Sequence, residues 1–98
     1  MAARRSYEKL RGDARRWFAE NLRAERHRLG LTQEQAAERV GFSLQYLQRI
    51  ERQMVNVPLD TIARFAHAFH VAPLQLLTPV VSPVEGRVRS RRGQRRSR

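Results

Sequence analysis

Four residues, Val40-Gly41-Phe42-Ser43, constrain this chain most, because they force a tight turn between two short segments of helical periodicity. Upstream, Thr32-Gln33-Glu34-Gln35 fits a capping box: the Thr32 hydroxyl takes the Gln35 amide proton while the Gln35 side chain reaches back. The helix it opens, about Gln33 to Val40, turns Ala36, Ala37 and Val40 inward, and the two alanines let another helix approach closely. Gly41 supplies a positive φ at the turn, and Ser43 caps a second helix, about Leu44 to Arg52. That helix should bury Leu47 and Ile50, with Phe42 packing just before it, and leave a polar face outward.

The flanking segments extend the same pattern. From Trp17 to Leu29, Phe18, Leu22 and Leu29 form a helical stripe that Gly30 terminates. Residues 1–15 are polar and basic with little periodicity beyond Tyr7 and Leu10, which predicts a flexible or frayed N-terminal segment. Pro58 suits a first helical turn and Asp60 the positive end of a helix dipole, so a fourth helix follows with Leu59, Ile62, Phe65, Ala66 and Phe69 on its apolar stripe. Pro73 starts a short fifth helix through Leu74 and Leu77. The expected architecture is therefore all-α: a compact five-helix bundle over residues 16–78, followed by a disordered Arg-rich tail at 79–98.

Charge points to a polyanionic partner. The formal net charge is +11 on 98 residues, carried by 19 arginines and one lysine, Lys9. Arginine offers phosphate a planar fork of two parallel hydrogen bonds. Residues 79–98 hold seven arginines against Glu85, so the tail contributes +6 and the other residues +5. A solvated polyelectrolyte tail raises affinity for nucleic acid without setting sequence, and minor-groove insertion is the sharper alternative.

Other chemistries find little support. There is no cysteine, so thiolate metal sites and disulfides are excluded. No apolar run approaches the ~18–20 residues of a membrane span, and the N-terminus is not a secretory signal. His67 and His70 stand three apart on one helix with no third ligand nearby, so no metal or other cofactor is expected. Glu34 and Glu38 share a helix face without a cleft, and Ser43, His27 and Asp60 form no triad, which argues against an enzyme. Trp17 and Phe18 are read as core or dimer-facing residues; one tryptophan does not make a base-stacking platform.

The ordered set Leu29-Gly30-Leu31-Thr32-Gln33-Glu34, Ala36-Ala37, Val40-Gly41-Phe42-Ser43, Leu47, Ile50-Glu51-Arg52, Asn56 and Leu59 to Val71 resembles the lambda-repressor-like helix-turn-helix domains of the Xre/Cro type. The resemblance covers about Phe18 to Leu77. It implies sequence-specific binding of double-stranded DNA with the third helix, about 44–52, in the major groove. It places Ser43, Leu44, Gln45, Tyr46, Gln48 and Arg49 at the bases. Gln45 suits an adenine edge, Arg49 a guanine and Leu44 a thymine methyl, while Tyr46 can pack on sugar or hold a phosphate. It places Gln33, Arg52 and the amides of Gln53 and Met54 at phosphates. Arg26 and Glu51 match positions that form an inter-helix ion pair. Where the family usually has glycine after Glu51-Arg52, this chain has Gln53; a left-handed backbone there costs a non-glycine residue about 1 kcal/mol.

One such domain covers about one half-site, so a homodimer reading two half-sites roughly 34 Å apart is the economical expectation. The implied protein is a transcriptional regulator, most simply a repressor, in the bacterial cytoplasm at the nucleoid. Its rivals are an antitoxin or adaptor whose domain binds a protein partner and autoregulates its operon, and a general nucleic-acid coat.

Overall fold

The computed structural model describes residues 2–80. Helix α1 spans Ala2–Arg28, α2 Gln33–Val40, α3 Leu44–Glu51 and α4 Leu59–Phe69, and a single 3-10 turn follows at Pro73–Leu76. No strand occurs among the described residues. The architecture is all-helical, but with four α-helices rather than five. After Pro73 only four residues keep helical geometry before Leu77 leaves it, which closes 3-10 hydrogen bonds and no α-helical run. The expected disordered tail falls on 81–98, outside the described residues apart from Pro79 and Val80.

The core grows from the stripes that the periodicity marks. Phe65 of α4 lies at its centre, 6.0 Å from Phe18 of α1, 5.9 Å from Phe69 and 5.4 Å from Phe42 of the turn. Ala36 and Ala37 are buried, so α2 sits close against its neighbours; Leu22, Leu47, Ile50 and Leu76 complete the cluster. Leu76 is fully buried, which makes the 3-10 turn a plug against α1 and α4.

Every α-helix ends on a left-handed residue. Gly30 (φ 70) and Gly41 (φ 93) do this after α1 and α2, Gln53 (φ 63) and His70 (φ 61) after α3 and α4. At α1, Leu31 N–H reaches the Arg26 carbonyl at 3.0 Å and Gly30 N–H that of His27 at 2.9 Å, a Schellman closure. The same pair of bonds closes α3, from Met54 to Arg49 and Gln53 to Ile50, each at 2.9 Å. Pro58 stands at the N-cap of α4 and not within its first turn, with no side-chain cap.

The larger departure is α1. Its helix starts at Ala2 and not near Trp17, so residues that lack a core-facing stripe are nonetheless helical. None of the described helices is long and apolar enough to cross a membrane.

Candidate nucleic-acid interface

Helix α3 is capped at both ends. Ser43 Oγ accepts the Tyr46 amide at 3.1 Å, and Arg52 N–H returns to the Gln48 carbonyl at 3.0 Å. Leu47, Ile50 and Glu51 turn inward and anchor the helix, while Gln45 and Arg49, four residues apart, are exposed together on the far side. Leu44 is half-buried beside them. The result is a polar reading edge built on a rigid base.

Tyr46 is held more firmly than an open surface tyrosine. Its ring meets Phe42 edge-on at 5.1 Å and 86°. Phe42 in turn lies under the Arg64 guanidinium, 5.1 Å from the ring centre, and against Phe65. A Cβ at Gly41 would stand 3.3 Å from Arg64 Nη2, so the turn glycine is needed for its φ and is also crowded from outside. Arg64 and Phe42 are positioning residues that the sequence reading passed over; their only signal was an aromatic at the turn and an arginine on the polar face of α4.

Behind α3 a buried polar hub joins three helices. Arg26 Nε donates to Glu51 Oε2 at 2.8 Å and Arg26 Nη2 to Oε1 at 3.1 Å, a two-point ion pair. Both side chains are enclosed, with Glu51 3% and Arg26 8% exposed. Gln33 Nε2 donates to Glu51 Oε1 at 3.0 Å, and its own Oε1 faces Gln48 Nε2 at 3.4 Å. Arg23 Nη2 donates to the Glu51 carbonyl at 2.8 Å. Burial alone would raise the Glu51 pKa. The hydrogen bonds from Arg26 and Gln33, with the charges of Arg26 and Arg23, outweigh it and hold the carboxyl below its ordinary value. Arg23 was missed although it stands three residues before Arg26, a spacing that puts both on one helix face.

The hub sorts the expected contacts. The side-chain amides of Gln33 and Gln48 already face partners inside the protein, whereas Gln45, Arg49 and Arg52 remain exposed. The backbone amides of Gln53 and Met54 both close α3, which leaves their exposed side chains as the groups able to meet a ligand. His67 and His70 lie on α4 and at its left-handed end. Among the described residues no three His, Asp or Glu side chains converge on a metal-sized site.

A family model described as "Helix-turn-helix domain" matches residues 17–77. The chain is 39% identical over 67 residues to the uncharacterized HTH-type transcriptional regulator y4dJ of Sinorhizobium fredii, covering 68% of this chain and 87% of that protein. The crystal structure of the hypothetical transcription factor NHTF from Neisseria superposes with a TM-score of 0.67 at 36% identity, over 70% of this chain and 79% of that one. The restriction-modification controller protein C.AhdI from Aeromonas hydrophila does so with a TM-score of 0.60 at 34% identity, over 63% of this chain and 94% of that one.

Proposed function

Since the chain belongs to the helix-turn-helix domain family, we propose that it is a transcriptional regulator that binds operator DNA through α3. It is not an enzyme. The observation that carries this reading is the two-sided construction of α3. Gln45 and Arg49 project together from a helix whose other face is locked by Leu47, Ile50 and the Arg26–Glu51 pair. An eight-residue helix so anchored can enter a major groove of about 12 Å without paying an ordering cost there.

Within that reading Gln45 addresses an adenine edge and Arg49 a guanine, while Leu44 offers apolar contact to a thymine methyl and Ser43 stays close to the first base. Tyr46, braced by Phe42, meets the sugar-phosphate wall. Gln48 and Gln33 hold α2 and α3 at a fixed angle, and Arg52, with Gln53 and Met54 beside it, follows the phosphates. The protein acts as a homodimer on two half-sites, represses by occupying a promoter, and works in the bacterial cytoplasm at the nucleoid. The arginine-rich residues 79–98 add non-specific affinity that falls with salt.

Selection from a randomised duplex library with the full chain tests this at near-physiological salt. An inverted repeat with half-sites about one helical turn apart is the expected product. Binding without enrichment overturns the operator reading in favour of charge coating or of the partner-binding adaptor. In the selected site, Gln45→Ala should relax one or two base positions, each worth about 1–3 kcal/mol of discrimination. A uniform loss across all sequences would contradict the register assigned to α3.

A further inference from the structure

Helix α1 continues well past the point at which the bundle covers it. Tyr7 and Leu10 are 62% and 59% exposed, whereas Phe18, Ala19 and Leu22 on the same helix are buried. Tyr7, Leu10, Ala14 and Trp17 recur at i, i+3, i+7 and i+10, the spacing of a helix-pairing seam. At Ala14 the seam runs into an open groove of about 130 Å³ lined by Phe18, Val55, Val57, Ile62 and Leu77. A solitary helical projection with a bare apolar stripe is marginal in water, so the stripe calls for a cover.

The charges beside the seam indicate what that cover is. Lys9 meets Asp13 at 2.8 Å, Arg16 meets Asp13 at 3.3 Å, and Arg16 meets Glu20 at 3.7 Å. One flank is thus neutralised within the helix, and the seam itself is uncharged. Residues 6–20 hold four cations (Lys9, Arg11, Arg15, Arg16) and three anions (Glu8, Asp13, Glu20), a net +1 in a chain of +11. A nucleic-acid surface would select free arginines on this face, and copies of so basic a chain repel one another everywhere else. The N-terminal part of α1 is where two copies can meet with little electrostatic penalty.

We propose that this seam is the self-association surface of the protein: α1 of one copy packs on α1 of a second, with Leu10 and Tyr7 at the contact and the Ala14–Phe18 groove at its end. The inference deepens the homodimer reading above and rests on it. Dimerisation through α1 leaves the exposed edge of α3 free, because Gln45 and Arg49 face away from the core that α1 covers.

The full chain is suited to a direct test because it contains no cysteine. Sedimentation at micromolar concentration should give a dimer for the native chain and a monomer for Leu10→Glu, with helicity and domain melting retained. Under mild oxidation, Tyr7→Cys, Leu10→Cys and Ala14→Cys, singly or in pairwise mixtures, should form a disulfide-linked dimer. Gly12→Cys, on the opposite face with nothing within 4 Å of its Cβ, should not. An unchanged dimer for Leu10→Glu, or cross-linking at Gly12 as fast as at the seam, overturns the seam and leaves the homodimer reading standing. A native chain that stays monomeric overturns both, without touching the DNA-binding reading, which the duplex selection tests separately.

Discussion

Along α1 the two ends of one continuous helix differ in what surrounds them. Phe18, Ala19, Leu22 and Arg26 in its second half are buried against α3, α4 and the 3-10 turn, while Tyr7, Lys9 and Leu10 in its first half face water. Burying a Phe or Leu side chain contributes about 1.5–3 kcal/mol, so the second half is helical because the fold requires it. The first half has only local support: good helix formers and exposed charge pairs that contribute little, set against Gly12 in mid-helix. Two stretches with the same backbone therefore answer to different physics. One is fixed by tertiary packing, and the other waits on propensity and on whatever covers its seam.

The contrast is broken most severely at the arginines. Arg26→Ala should cost about 3–5 kcal/mol in urea unfolding, because Glu51 is left charged and enclosed without its two-point partner. Arg16→Ala, on the exposed half, should stay within about 0.5 kcal/mol. Equal losses would mean that the first half is anchored as firmly as the second.

Acid sharpens the same comparison. Glu51 titrates below its ordinary range when folded, so the unfolded chain takes up the proton first as pH drops. Its contribution is complete above the ordinary carboxylate value and is lost progressively as pH falls toward the folded one. Glu51→Gln should lower stability at neutral pH and flatten that acid limb; an unaltered limb would assign the acid sensitivity to other carboxylates.

Smaller effects follow from backbone conformation. Gln53→Gly should raise melting stability by about 1 kcal/mol, since the residue sits at φ 63. Gly12→Ala meets open space and should gain about 0.5–1 kcal/mol locally. That gain should appear in amide exchange of residues 6–16 and not in global unfolding. A rise in global stability would show that the two halves of α1 melt as one unit.

Much of the bundle was legible because its signals are local. The capping box at Thr32 and Gln35 forms with both bonds present, at 2.9 and 3.0 Å, from residues three apart that need no distant partner. Gly30 and Gly41 announce helix ends by their freedom to take positive φ. The interface was legible more coarsely. Periodicity alone separates Leu47 and Ile50 from Gln45 and Arg49, but the engagement of Gln33 and Gln48 inside the hub depends on where α1 and α2 deliver Glu51's partners.

What the sequence by itself determined, then, is the helix-turn-helix: its caps, its turn, its apolar stripes and the basic character of its partner. These depend on contacts within one turn or on charge summed over the chain. Tertiary structure alone decided that Gln53 is left-handed, that Met54's amide is consumed, that Arg64 braces Phe42 and that α1 outruns the core. Each of those depends on groups far apart in sequence, whose positions follow only once the stripes of α1, α3 and α4 have packed around Phe65.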